Sequence, residues 1–228
     1  MPTTDTSTTG TSTTGASGLV GHRPTPVSTA PGGGTASSHG TEQDGSIAVG
    51  SVPGLREFLV HKRAALQERE AAVAAGAFSE PVVLRAQASA EGRTGLRRIR
   101  IRDHQIISDS LPNFAGYDLG PGSPELVLGV LASCLTHVFE IVAARLMIPL
   151  DEIKVEIEGS IEPRVGQPGF EHAPREPHNI NYRVSLTSPA TSEQIEVLYE
   201  TVEAECPLLA LFTNPQTITG SLVHTASS

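Results

Sequence analysis

The segment GPGSPELVLGVLASCLTHVFEIVAARLMIPL, residues 120–150, decides how this chain is read. Gly120, Pro121 and Gly122 mark a loop, because both residue types interrupt regular structure. Pro124 then suits the first turn of a helix, where no backbone N–H is needed, and Glu125 complements the positive end of the helix dipole. Residues 125–148 are the most apolar part of the chain, and Pro149 stops them. Such a run is long enough to cross a bilayer. Cys134, Thr136, His137, Glu140 and Arg145 interrupt it, however, and a charged group within a bilayer is costly. The expectation is therefore a helix buried inside protein, with no membrane as partner.

Downstream, Ile153, Val155 and Ile157 alternate with Lys154, Glu156 and Glu158, which is the period of a half-buried strand. Ile180, Tyr182, Val184 and Leu186 repeat the pattern after a Pro-rich loop. Thr191 and Gln194 have the spacing of a capping box. Ile195, Leu198, Tyr199 and Val202 form the apolar stripe of the helix that follows, as far as Cys206-Pro207. Residues 208–212 resume as a short helix, and residues 217–223 read as a final strand. Upstream, residues 82–89 read as a strand, Glu91-Gly92 as a turn, and Ile99 and Ile101 alternate with Arg98, Arg100 and Arg102. Asp103-His104 turns the chain into a third strand at 105–108. Before these, Leu55, Phe58, Leu59, Leu66 and Val73 follow helical spacing between Pro53 and Gly76. The fold class is α+β, with the order βββ-α-ββ-α-β after an N-terminal helix.

Residues 1–45 are almost entirely Thr, Ser, Gly and Pro, and cannot bury enough apolar surface to offset the entropy of ordering them. They read as a disordered tail without the basic start and apolar run of a secretory signal. Residues 46–78 form a linker with the amphipathic helix, and residues 79–228 the folded domain. The formal net charge of -9, from 25 acidic and 16 basic residues, argues against nucleic acid as a partner, which needs a basic footprint. Arg93, Arg97, Arg98, Arg100 and Arg102 form one local basic cluster, read as a solvated strand face.

The chain has 2 cysteines, Cys134 and Cys206. So few argue against a structural disulfide framework and for a cytoplasmic location, where such a pair is redox-active, metal-binding or simply buried. Cys134 and His137, one helical turn apart, make only half a zinc site. Neither a metal nor a cofactor is expected.

The run Gly120-Pro121-Gly122-Ser123-Pro124-Glu125-Leu126, with Leu131-Ala132-Ser133-Cys134 after it and Cys206-Pro207 further on, resembles the signature of the OsmC/Ohr family. The resemblance covers about residues 82–223. It implies antiparallel sheets packed around two long central helices in an intertwined homodimer. The nearly all-apolar segment 126–148 is what such an interface needs. It also implies a thiol peroxidase in which Cys134 attacks a hydroperoxide and Cys206 resolves the sulfenic acid as a disulfide. An external dithiol reductant would then reset the pair. Leu131, Leu135, Val138, Leu208, Leu209 and Phe212 suit an organic or fatty-acyl hydroperoxide. The resemblance assigns an activating role to Arg93, in Glu91-Gly92-Arg93-Thr94-Gly95, and to Glu125. Glu125 stands nine positions before Cys134, where Ohr-type proteins carry glutamate ten before, a position held here by Pro124. A rival reading is an OsmC-like protein that binds a hydrophobic ligand without turnover. Finally, Ile47-Ala48-Val49-Gly50-Ser51-Val52 resembles the peptides that dock cargo enzymes inside encapsulin shells.

Overall fold

The computed structural model describes residues 54–227. The tail 1–45, the segment around Val49-Gly50-Ser51 that resembles a shell-docking peptide, and Pro53 lie outside the described residues.

The first helix, α1 (Leu55–Ala74), is built largely from strong helix formers. Glu57 accepts a hydrogen bond from the Gly54 N–H at 2.8 Å, satisfying one orphan donor of the first turn. Gly76, at φ +90°, lets the chain leave in the left-handed region. Leu59 is buried, and Leu55 and Leu66 pack against the same core.

A three-stranded meander follows: β1 (Gln87–Ala90), β2 (Arg97–Ile101) and β3 (His104–Ser108), antiparallel throughout, as the alternation implied. The β2–β3 hairpin turns at Arg102-Asp103, and Ile101 pairs with His104. Of the first strand expected at 82–89, only residues 87–89 are paired, and the strand extends one residue further, to Ala90. Val82, Val83 and Leu84 are exposed, and no described strand pairs with them to close their backbone hydrogen bonds.

The loop 109–122 is tied to the end of β3 by one buried carboxylate. Asp109 accepts from the backbone N–H groups of Ser110 (2.8 Å), Tyr117 (3.0 Å) and Leu119 (3.1 Å). Those bonds hold its carboxyl below the usual carboxylate range, with Leu119 the largest contributor and Arg97 a minor one. Two glycines let the loop lie this close. A Cβ on Gly116 would stand 1.8 Å from the Ser110 carbonyl oxygen, and one on Gly120 would stand 2.5 Å from that of Ile107.

The loop delivers the chain into α2 (Ser123–Leu146), where Glu125 accepts from the Gly122 N–H at 2.6 Å. The helix ends at Met147, whose φ is +62°, two residues before Pro149. By length and composition α2 could span a membrane. Here Leu131, Leu135, Val138, Phe139, Val142, Ala143 and Ala144 are buried against protein. Its neighbours are α1, the strand β4 (Glu152–Ser160) and the helix α3 (Ser192–Glu205). β4 pairs antiparallel with β5 (His178–Thr187), and the alternating apolar residues of both strands pack on the core. α3 starts at the expected capping box, with Thr191 Oγ1 accepting from the Gln194 N–H and Gln194 Oε1 from the Thr191 N–H. A short α4 (Pro207–Thr213) follows.

The final strand expected at 217–223 is not formed. Residues 215–227 carry no ladder, and Ile218, Leu222 and Val223 are about nine-tenths exposed. Alternating residues alone do not make a strand, because a strand exists only against an edge that accepts its hydrogen bonds. The observed order after α1 is therefore βββ-α-ββ-α-α.

Candidate active site

Cys134 sits midway along α2, and Cys206 at the break between α3 and α4. Pro207 creates that break. It has no N–H to continue the helix, and it forces the residue before it into an extended conformation, here φ −69°, ψ 112°. Pro207 then opens α4 as a first-turn proline. The kink turns the Cys206 thiol onto α2, where the two sulfurs lie 3.9 Å apart across 72 residues of sequence. A disulfide requires about 2.05 Å, so an approach of about 1.9 Å joins them.

The two thiols differ in access. Cys206 is 1% exposed, whereas Cys134 is partly open to solvent. Desolvation pushes the Cys134 thiol up from its ordinary value, and the nearby Cys206 thiol adds to the rise. The backbone N–H of Leu208, in the first turn of α4, pulls it down. No charged side chain among the described residues bears on it.

The other two expected site residues are not joined to this pair. Glu125 caps its own helix through Gly122 and makes no bond to either sulfur. Arg93 is exposed in the turn 91–96 and forms no hydrogen bond or ion pair with any described residue. The cluster of arginines nevertheless sorts itself. Arg97 is committed to Gly95 O (2.7 Å), Ser110 Oγ (3.2 Å), Ser108 Oγ (3.0 Å) and Asp109 O (2.9 Å). Arg98 is committed to Glu91 Oε1 (2.8 Å) and Gln105 Oε1 (2.6 Å). Both therefore brace the turn that holds Arg93 out, and their partners lie on neighbouring strands that sequence spacing does not reveal. The β1–β3 sheet itself shares no more than isolated contacts with the helices.

Two apolar residues were missed in the sequence reading. Val127 and Val130 stand seven and four positions before Cys134, on its face of α2, and both are exposed. Leu131, Leu135 and Val138, expected near the substrate, face the core instead. The i−4 and i−7 spacing was the signal that could have separated them. His137 is 61% exposed and hydrogen-bonded to Lys62 of α1. Among the described residues no group of three or more His, Cys, Asp or Glu side chains is placed to hold a metal ion.

Residues 116–220 match the family model described as OsmC-like protein. This chain carries an OsmC-like domain. Among solved structures, an OsmC-like protein from Mycoplasma pneumoniae is similar at 18% identity and a TM-score of 0.50, covering 59% of this chain and 89% of that one. An organic hydroperoxide resistance protein OsmC from Legionella pneumophila is similar at 16% identity and 0.44, covering 58% and 90%. An OsmC-like protein of unknown function from Vibrio cholerae is similar at 12% identity and 0.45, covering 57% and 94%. No protein of curated function matches the sequence significantly. The OsmC-like segment contains both cysteines, and α1 lies outside it.

Proposed function

We propose that this protein is a thiol peroxidase that reduces organic hydroperoxides through Cys134 and Cys206. The observation that carries the proposal is the thiol pair: two sulfurs 3.9 Å apart, one reachable and one buried, within an OsmC-like domain. Cys134, as thiolate, attacks the distal peroxide oxygen. An S–O bond forms, the O–O bond breaks, and the leaving alkoxide takes up a proton to become an alcohol. Cys206 then displaces water from the sulfenic acid, giving a disulfide. An external dithiol reduces it by exchange, supplying both electrons. The exposed Val127 and Val130 beside Cys134 favour a peroxide with an apolar substituent. The free thiols are consistent with work in the cytoplasm.

We infer a homodimer as the working form. The bare β1–β3 sheet, the unpaired residues 215–227 and the exposed Val82, Val83 and Leu84 are more apolar edge than an isolated chain ordinarily exposes. A second copy could also bring Arg93 to the Cys134 thiol, beside which no charged group of the described residues acts. Light scattering at micromolar concentration should give twice the chain mass, and a monomer would refute this.

The raised Cys134 thiol favours a second reading, a domain that holds a hydrophobic ligand without turnover. Consumption of cumene hydroperoxide in the presence of a dithiol separates the two. Turnover that is lost in Cys134→Ser supports the peroxidase. No consumption by the intact protein supports the binding domain.

A further inference from the structure

His137 and Lys62 are not used by the chemistry above, yet they stand beside it. His137 is one helical turn after Cys134, and residues three apart share a helix face. Helical side chains lean toward the N-terminus, so a residue at 137 leaves the helix over the turn that carries Cys134. Its Nδ1 lies 3.2 Å from Lys62 Nζ and 3.7 Å from Glu140 Oε2. Lys62 is itself fixed by Glu140 at 2.8 Å and is only 11% exposed.

An ammonium group can only donate. Nδ1 therefore accepts, and the ring proton is on Nε2. That atom makes no hydrogen bond among the described residues. The arrangement leaves an N–H donor free on an exposed ring one helical turn from Cys134.

We propose that His137 Nε2–H is a hydrogen-bond donor to the hydroperoxide at Cys134, and that Lys62 of α1 is the positioning residue that holds it in this form. The inference rests on the peroxidase reading. The donor steadies the alkoxide oxygen as the O–O bond breaks, while solvent supplies the proton that completes the alcohol. Because α1 lies outside the OsmC-like segment, this part of the site belongs to an appended helix.

The test uses the full chain, cumene hydroperoxide and a dithiol. H137F should lower kcat/KM by roughly a hundred- to a thousandfold, the scale of one lost transition-state donor. H137Q, which keeps an N–H donor, should recover several-fold over H137F. Alkylation of Cys134 by iodoacetamide, whose halide leaving group needs no donor, should keep its wild-type rate in H137F. K62M should also slow turnover, and K62M with H137F should be no slower than H137F alone. An unchanged kcat/KM in H137F, or an equal fall in alkylation, overturns the donor role. Full additivity of the two substitutions overturns the role of Lys62. An inactive wild type would instead sink the peroxidase reading and this inference with it.

Discussion

Oxidation of the thiol pair should make the fold harder to unfold, by an amount the chain itself sets. A bond between Cys134 and Cys206 closes a loop of 72 residues in the unfolded state. The chain-entropy relation gives about 4 kcal/mol for a loop of that length. Against this stands the cost of drawing the sulfurs together from 3.9 Å, with Cys206 held in a buried kink beside Pro207. The expected net gain is about 2–4 kcal/mol, or roughly 5–15 °C in Tm for a domain of this size. The assay is urea unfolding of the reduced protein and of protein oxidised with one equivalent of hydroperoxide, with Cys206→Ser as the control. Wild type should shift to a higher midpoint on oxidation, and Cys206→Ser should not. An oxidised wild type with a verified disulfide and an unchanged or lower midpoint would refute the reasoning. The native fold would then have to distort substantially to bring the sulfurs together.

Three further outcomes test the scaffold. Leu135→Ala, at a fully buried position of α2 in the core, should cost about 2–5 kcal/mol in denaturant unfolding; a loss below about 1 kcal/mol would place that residue outside the core. Gly116→Ala would put a Cβ 1.8 Å from the Ser110 carbonyl oxygen, so it should lower Tm clearly, whereas Gly129→Ala, with open space around its Cβ, should not. Equal melting of the two variants would contradict the close packing within the loop 109–122. Asp109 has a lowered folded-state pKa, so its contribution is present above the ordinary carboxylate range and is lost as pH falls through the folded value. Asp109→Asn should therefore be less stable than wild type at pH 7, with the gap narrowing toward pH 2; a gap that does not change with pH would contradict the assignment.

The elements that read most clearly from the sequence are those whose signals are local. The period-2 runs at Ile153–Ile157 and Ile180–Leu186 became β4 and β5, and Thr191 with Gln194 capped α3, because side-chain alternation and capping act within a few residues. The 217–223 segment has similar residues but no edge to pair with inside the described chain, so the same signal produced no strand. At the site, the two cysteines were legible from their flanking residues, and the Pro207 kink that turns them together follows from proline geometry. The choice among the arginines was not legible, since Arg97 and Arg98 are committed by partners on neighbouring strands and loops. The Lys62–His137–Glu140 cluster was equally hidden, because it joins helices 75 and 78 residues apart. Such pairings are products of packing, and no window of sequence contains them.

The most direct test of the account is the intact mass of the protein and its two cysteine variants after one equivalent of cumene hydroperoxide without reductant. The wild type should lose two hydrogens as Cys134 and Cys206 join. Cys206→Ser should instead gain oxygen on Cys134, first one atom and then more with excess peroxide, because the sulfenic acid has no partner. Cys134→Ser should remain unmodified, its buried Cys206 being out of reach. Oxygen added to Cys206 in Cys134→Ser, or a wild type whose mass does not change, would contradict the assignment of Cys134 as the attacking thiol.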